Sequence, residues 1–227
     1  MHGVKGVLSL ERGSLLPLLL TLAQSTLRTT PPFTFNQPQR PFSSLLWSFV
    51  RQRARRMMPS AQDGAFWESN WQEGVAPGDE WDTSKPTPVL VKYVADGVIP
   101  KGKALVPGCG RGYDVGALSD LSREVIGLDI SETGANVARD YLKGLDLPGK
   151  WSIETADFFT YDRPSSFDFI FDYTFLCAIQ PDMRAAWAKQ MHSLLKDNGL
   201  LMVAIFPICD KEGGPPFALS LEGVRRV

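Results

Sequence analysis

The stretch Leu105-Val-Pro-Gly-Cys-Gly-Arg-Gly-Tyr-Asp114 decides the fold of this chain. The apolar residues at 103–107 predict a short strand, and the glycines that follow allow the backbone to approach a ligand closely. A helical pattern comes next, with Val115, Leu118 and Leu121 at three-residue spacing. A strand, a glycine loop and a helix in this order predict the first unit of an α/β sheet that binds a ligand at the loop.

The spacing of the glycines separates two classes of cofactor. A dinucleotide-binding fingerprint is G-x-G-x-x-G. In this chain the third glycine comes one residue early, and Tyr113 occupies the dinucleotide position. The tighter G-x-G-x-G is the pattern of S-adenosylmethionine binders, in which no pyrophosphate has to be held. Gly108 and Gly110 are therefore candidate cofactor residues, with a plain turn as the alternative.

An acidic residue follows at the position that such a site needs. Asp129 ends the second predicted strand, residues 124–129, and lies 21 residues after Gly108. A carboxylate there can accept hydrogen bonds from both ribose hydroxyls of the cofactor. The alternative is an acid that only starts the next helix.

Two later strand ends carry further candidates. Asp157 follows the third predicted strand, residues 151–156, where it could accept from the adenine amino group while Phe158 borders the ring. Residues 167–173 alternate with period two, which predicts a fourth strand with three Phe and Tyr173 on one face. Asp157 could equally be a loop acid, and Tyr173 could equally be a core aromatic.

The remaining pattern predicts helices between these strands. Ser131 can cap a helix that Gly144 closes. A second helix begins near Pro181 and ends at Asn198-Gly199, and a fifth strand covers residues 200–206. Strands alternating with helices predict a mostly parallel sheet in a three-layer αβα arrangement.

The chain divides into two unlike parts. Residues 1–60 hold eight Lys or Arg and one acid, whereas residues 61–227 hold 16 basic and 24 acidic residues. The first part is rich in Ser and Arg, which is typical of an organelle transit peptide. A secretory signal, or an extension ahead of a translation start at Met57-Met58, is the alternative. We expect residues 1–60 to be disordered and to stay outside the core. We expect the protein to be cytoplasmic, or organellar (chloroplast or mitochondrion) if residues 1–60 act as a transit peptide.

Composition excludes several functions. The apolar run at 15–23 is shorter than the roughly 20 residues that a membrane-spanning helix needs. A net charge of −1 gives no reason to expect a nucleic-acid or membrane partner. The two histidines and three cysteines show no metal-ligand spacing, which argues against a zinc site and against a His-activated nucleophile. We expect a monomer without a metal.

Taken together, these residues resemble the thiopurine methyltransferase family, and within it the plant thiol and halide methyltransferases. The resemblance runs from about Phe66 to Leu219, and its carrying segments are Trp81-Asp82, 105–114, 125–131, 167–179, Trp187-Ala-Lys, and Phe206-Pro-Ile with 213–216. It implies a Rossmann-like class I methyltransferase fold that binds S-adenosylmethionine. The family's cofactor contacts fall on Trp67, Trp71, Trp81, Gly108, Asp129, Asp157, Phe158 and Tyr173.

The tryptophans gain their role from the resemblance. Trp67 and Trp71 are four residues apart, so on a helix they share one face, which is also typical of core packing. The family places this segment as a lid over the cofactor, and aromatic faces suit a cationic sulfonium. This chain departs from the family pattern at Glu80 and Ser84, where Pro and Gly are usual.

The implied reaction is methyl transfer to small thiols, thiocyanate, bisulfide or halide ions by direct attack on the methyl group. Such acceptors are anionic or easily deprotonated, so we name no general base. Cys109 is expected to pack within the loop. Family members continue beyond 213–216 with two strands and a helix, which residues 221–227 do not resemble. An inactive isoform that binds cofactor or a partner is therefore the alternative, and we expect an exposed apolar edge at residues 200–206.

Overall fold

The computed structural model describes residues 6–11, 64–79 and 81–227. Its strands are β1 (Gly6–Glu11), β2 (Gly102–Pro107), β3 (Arg123–Asp129), β4 (Lys150–Thr155), β5 (Phe167–Tyr173) and β6 (Leu195–Ile205). Its helices are α1 (Gly64–Glu73), α2 (Pro88–Ala95), α3 (Tyr113–Leu118), α4 (Glu132–Lys143), α5 (Arg184–Leu194) and α6 (Leu221–Arg226), with short 3-10 turns at Phe158–Thr160 and Pro181–Met183.

The strands form one sheet in the order β1-β6-β5-β2-β3-β4. All neighbours from β6 to β4 pair in parallel, and β1 alone pairs antiparallel. The chain moves outward from β2 through β3 to β4 and then returns to the other side of β2 as β5. Ligands of such sheets bind at this change of direction, outside the carboxyl ends of β2 and β5.

Helices cover both faces of the sheet. On one face, Trp187, Met191 and Leu194 of α5 and Val224 of α6 pack in one buried cluster with inward residues of β2, β5 and β6. On the other face, α2, α3 and α4 bury Leu90, Leu118, Ala138 and Leu142 against the sheet. The predicted three-layer αβα architecture is therefore confirmed.

Local signals for α4 are confirmed in detail. The Ser131 hydroxyl accepts a hydrogen bond from the amide of Gly134 at 2.9 Å and caps the helix, which ends before Gly144.

The first helix after the glycine loop is shorter than predicted. It ends at Leu118, so Leu121 lies beyond it and is 88% exposed.

Two features of β5 and β6 differ from the sequence-based expectation. The helix predicted to end at Asn198-Gly199 ends at Leu194, and β6 starts at Leu195. Leu195 pairs with Phe167 and Leu200 pairs with Phe169, so residues 196–199 bulge out of the ladder. The turn residues Asn198-Gly199 therefore mark a bulge within β6 and not the end of the helix. Across this irregularity Phe167 joins one buried cluster, while Phe169, Phe171 and Tyr173 join the other.

The outer edge of β6 is paired, contrary to the expectation of an exposed edge. Residues 6–11 run antiparallel to β6 from Gly6–Ile205 to Glu11–Leu200. These six residues extend the sheet, because an apolar strand with free N–H and C=O groups is a template for strand addition. The predictions for residues 1–5 and 12–60 lie outside the described residues.

None of the described helices has the length and apolarity needed to cross a membrane.

Candidate functional site

The glycine loop turns at the carboxyl end of β2. Gly108, Gly110 and Gly112 have φ angles of 57°, 51° and 85°, a left-handed region that favours glycine. A Cβ on Gly108 would lie 2.6 Å from Cδ2 of Phe175, so the backbone passes close beneath that ring. The amide of Cys109 donates to the carbonyl of Leu128 at 3.0 Å, which ties the loop to β3.

Asp129 lies beside this loop. Its carboxylate accepts from the amides of Gly110 and Ser131, both at 3.0 Å, and its residue is 7% exposed. Burial raises the pKa of Asp129 to about 6, although these hydrogen bonds act to lower it. The carboxylate of Asp129 is thus poorly solvated. It lies at the end of β3, where the sequence pattern predicts an acceptor for the ribose hydroxyls.

The three predicted lid tryptophans come together. The ring of Trp81 contacts Trp67 edge-on at 5.3 Å between centroids and Trp71 at 6.1 Å. Trp71 is 5% exposed, and its Nε1 lies so near α4 that a Cβ on Gly134 would be 2.6 Å away. We use the term lid for α1 together with residues 81–84, which carry these rings over the glycine loop.

Asp82 joins the lid to the glycine loop, a link that sequence reasoning missed. Its carboxylate accepts from Nε of Arg111 at 2.7 Å, from the Tyr113 hydroxyl at 3.0 Å and from the amide of Ser84 at 2.8 Å. Burial acts to raise the pKa of Asp82, but these hydrogen bonds outweigh it and the pKa is lowered. Ser84 adopts φ 56°, the left-handed region in which the family's usual Gly is unstrained.

Arg111 completes the same link. Its guanidinium donates to the Val75 carbonyl at 2.5 Å and lies 5.7 Å from the Trp71 ring centroid. The signal for both residues was present in the sequence, because Asp82 and Arg111 belong to the quoted segments. Their pairing across 29 positions could not be obtained from spacing.

A partly open cavity with a volume of about 50 Å³ lies between the lid, the glycine loop and the end of β5. Five of the nine predicted site residues line it: Trp71, Trp81, Gly108, Gly110 and Tyr173. Further lining comes from residues that were not predicted as site residues, among them Asp82, Thr83, Arg111, Tyr113, Asp114 and Thr174. The structure therefore places the cavity at the change of direction between β2 and β5.

The other predicted residues surround this cavity without lining it. Asp157 caps the short turn after β4 and accepts from the amide of Phe159 at 2.9 Å. Phe158 is buried, and its ring contacts Phe175 at 5.0 Å between centroids. Because Phe175 also touches Gly108, it connects the loop to the Asp157 side of the site. Trp67 and Asp129 likewise lie behind lining residues.

Two groups at the cavity have unusual environments. Asp114 accepts from the amide and hydroxyl of Thr87 at 2.7 and 2.9 Å, and burial raises the pKa of Asp114 to about 6. Thr174, the residue after β5, has φ 67°. A left-handed non-glycine residue is strained and is held by its surroundings.

Cys109 is not arranged as a nucleophile. Its sulfur packs against Gly127, where a Cβ would lie 2.9 Å away. Burial raises the pKa of Cys109 well above its ordinary value, which disfavours the reactive thiolate. His192, one of the two histidines of the chain, is exposed on α5. The described residues hold no cluster of three or more His, Cys, Asp or Glu that could bind a metal ion.

The residues present fit S-adenosylmethionine. Gly110 leaves open space, since a Cβ there would meet only Cζ2 of Trp71 at 3.8 Å. Asp129 is an acceptor suited to ribose hydroxyls, and the rings of Trp71 and Trp81 are surfaces suited to a sulfonium cation.

Comparison with known proteins supports this interpretation. Residues 62–227 match the family model described as Thiopurine S-methyltransferase (TPMT). The match extends beyond the predicted range of about 66–219 at both ends, and it includes α6, which sequence reasoning had not matched to the family.

Curated relatives give the same family. The chain is 44% identical over 179 residues to "Probable thiol methyltransferase 2" of Arabidopsis thaliana, which covers 78% of this chain and 76% of that protein. It is 39% identical over 170 residues to "Thiocyanate methyltransferase 1" of Brassica oleracea, which covers 75% of this chain and 74% of that protein. These matches favour an enzyme over the inactive alternative.

A solved structure supports the fold. The chain superimposes with a TM-score of 0.58 on the structure titled "Conversion of a Disulfide Bond into a Thioacetal Group during Echinomycin Biosynthesis". The two are 23% identical, over 70% of this chain and 74% of the other. With the fold, the site and the sequence match in agreement, the chain belongs to the thiopurine S-methyltransferase family and is an S-adenosylmethionine-dependent methyltransferase.

Proposed function

We propose that this chain transfers the methyl group of S-adenosylmethionine to a small thiol, thiocyanate, bisulfide or a halide ion by direct displacement. The observation that carries the proposal is the cavity between Gly108 and Tyr173, which Trp71 and Trp81 line on the lid side. S-adenosylmethionine supplies a methyl carbon activated by a sulfonium, which becomes a neutral thioether when the acceptor's lone pair takes the methyl group.

The cofactor side of the cavity is assigned to the predicted residues. Asp129 would accept from the ribose hydroxyls, Asp157 and Phe158 would border the adenine, and Gly108 and Gly110 would leave room for the methionyl part. Trp71 and Trp81 would lie over the sulfonium, with Trp67 supporting Trp81 from behind.

The acceptor side lies at the end of β5. Tyr173 and Thr174 line the cavity there, and the ring of Phe206 lies 6.3 Å from that of Tyr173. Arg111 lines the cavity but is paired with Asp82, so the pair adds little net charge to the cavity. Selectivity for an anion then depends on size and on the loss of its hydration shell.

No proton acceptor is required from the chain. The thiol of Cys109 stays protonated because its pKa is raised, and Asp114 is engaged with Thr87. Acceptors that arrive as anions need only to be held near the methyl carbon. Positioning of this kind provides effective molarities of roughly 10⁵–10⁸ M, and the rings of Trp71 and Trp81 would limit the access of competing water.

A panel of acceptors tests the proposal. The full chain with S-adenosylmethionine is given thiocyanate, iodide, bisulfide or thiophenolate, with phenol and a primary amine as matched oxygen and nitrogen acceptors, and kcat/KM is measured for each. We expect sulfur or halide acceptors to exceed phenol and the amine by at least about 100-fold at neutral pH. Phenol and the amine, with pKa values of about 10, stay protonated there, and the proposed chemistry has no general base to deprotonate them. Equal or faster methylation of the oxygen or nitrogen acceptor contradicts the proposed acceptor class.

A further inference from the structure

Glu68, on the lid helix α1, is bound to the start of α4. Its Oε2 accepts from the Ser131 hydroxyl at 2.7 Å and from the Thr133 amide at 3.1 Å. Its Oε1 accepts from the Thr133 hydroxyl at 2.5 Å and from Nε2 of Gln72 at 2.8 Å. Both oxygens are thus fully engaged, and three of the four donors belong to α4 or its cap.

The position of this contact favours a carboxylate. The first amides of a helix lack intrahelical partners, and the positive end of the helix dipole attracts an anion. The hydrogen bonds from Thr133 and Ser131 lower the pKa of Glu68 to about 2, so the group stays ionised at neutral pH. The contact between α1 and α4 is therefore charge-assisted.

The same two elements hold residues of the cofactor site. One helical turn after Glu68, Trp71 packs against Gly134 of α4 and lines the cavity. Ser131, which donates its hydroxyl to Glu68, donates its amide to Asp129. Glu68 consequently fixes the lid to the same turn that holds Asp129, the carboxylate assigned to the ribose hydroxyls.

Movement of the lid would widen the cavity. Trp71 and Trp81 line it on the lid side, and its volume of about 50 Å³ is well below the roughly 300–1,000 Å³ of pockets that hold drug-sized ligands. Displacement of Trp71 or Trp81 therefore makes room at the glycine loop for a molecule as large as S-adenosylmethionine to enter or leave. Any contact that resists movement of α1 therefore slows exchange of the ligand.

We propose that Glu68 is a positioning residue that latches the lid to the start of α4 and so sets how fast S-adenosylmethionine and S-adenosylhomocysteine exchange. The proposal rests on the proposed function, since it takes the lid to cover the cofactor. Glu68 touches neither reacting atom and acts through Trp71 and Ser131.

Two variants and one matched control test the latch in the full chain. Glu68→Gln removes the charge and replaces one acceptor oxygen with a donor, and Thr133→Val removes one donor. Glu73→Gln makes the same change of charge at an exposed position on the same helix. Amide hydrogen exchange of the ligand-free chain reports opening of α1, and stopped-flow displacement reports dissociation of S-adenosylhomocysteine.

We expect Glu68→Gln to speed both exchange in residues 64–73 and S-adenosylhomocysteine dissociation about tenfold, the order of one hydrogen bond to a charged group. Thr133→Val should have a smaller effect in the same direction, and the double variant should be less than additive. Exchange in β2 to β6 should be unchanged in all of them, and Glu73→Gln should match the parent chain.

The outcomes separate the latch from the proposed function. If residues 64–73 exchange at the parent rate in both Glu68→Gln and Thr133→Val, the latch is contradicted. If exchange accelerates throughout the sheet as well, Glu68 supports the fold and the latch is again contradicted. A parent chain that binds no S-adenosylhomocysteine contradicts the proposed function, while hydrogen exchange still decides on the latch.

Discussion

The amide of Gly110 donates a hydrogen bond to a carboxylate oxygen of Asp129 at 3.0 Å. Through this bond the loop after β2 is fixed to the end of β3, although the two residues are 19 positions apart in the chain. The glycine loop and the acidic residue that the sequence pattern associates with a cofactor thus form one connected unit.

Asp129→Asn should weaken S-adenosylmethionine binding roughly 100-fold, because two hydrogen bonds to a charged acceptor are lost and each is worth about tenfold or more. Isothermal titration calorimetry measures the Kd. Asp172→Asn is a matched control, since Asp172 is also buried with a pKa raised to about 6 by burial, but binds Trp187 and Leu176 in the core. It should lower the melting temperature and leave the Kd near that of the parent chain. An unchanged Kd in Asp129→Asn removes Asp129 from the site.

Cofactor affinity should fall as the pH drops below about 6. Burial raises the pKa of Asp129 from 3.8 to about 6, so the ligand-free chain binds this proton more tightly than the unfolded chain does. The group's contribution to stability is therefore lost as the pH rises from about 4 to about 6, whereas cofactor binding needs the ionised form and improves over that range.

Titration calorimetry between pH 5 and 8 measures this dependence. We expect the Kd to rise about tenfold for each pH unit below 6. Asp114→Asn is the control, because Asp114 lines the cavity and its pKa is also raised to about 6, and this variant should keep the pH dependence. A Kd that is constant down to pH 5 contradicts the role of an ionised Asp129.

Gly134→Ala should impair the cofactor site through Trp71. The added methyl group would lie 2.6 Å from Trp71 Nε1 and push the ring away from α4. A displacement of this size can cost ten- to hundredfold in affinity or turnover, although alanine alone favours a helix by about 1 kcal/mol. Gly144→Ala, at the other end of α4 with φ −73°, is the control and should bind cofactor normally. Equal cofactor affinity in both variants would show that cofactor binding does not depend on the position of Trp71.

Cys109→Ala should retain kcat within about threefold, because a thiol held protonated by burial does not act as a nucleophile. Steady-state methyl transfer measures this, and alkylation should modify the exposed Cys209 well before Cys109. A loss of turnover beyond about 100-fold with an unchanged cofactor Kd would assign a chemical role to Cys109.

Much of the sheet could be predicted because its signals are local. Short runs followed by or ending at glycine or aspartate located β2 to β4, period-two alternation located β5, and Ser131 marked the start of α4. The start of β6 was missed because residues 196–199 carry turn residues but bulge within a ladder that pairing with β5 maintains. Strand β1 was missed because only the free edge of β6 gives residues 6–11 a partner.

Five of the residues predicted from the sequence line the cavity, namely Trp71, Trp81, Gly108, Gly110 and Tyr173. The cofactor contacts of Asp129, Asp157, Phe158 and Trp67 stay predictions. The carboxylates that hold the lid were not assigned, because their partners are distant in sequence. Glu68 meets Ser131 and Thr133 across 63 and 65 positions, and Asp82 meets Arg111 across 29. Side chains on a helix or loop show no such partners until the fold brings them together.

Single-turnover methyl transfer tests the proposed chemistry most directly. The full chain is loaded with S-adenosylmethionine labelled at the methyl group, mixed with thiocyanate or bisulfide, and sampled for labelled methyl product and S-adenosylhomocysteine. We predict that both form in equal amounts, with a rate that saturates with acceptor concentration and falls in Asp129→Asn. Tight S-adenosylmethionine binding with no acceptor-dependent product from any thiol, thiocyanate, bisulfide or halide would contradict the proposal.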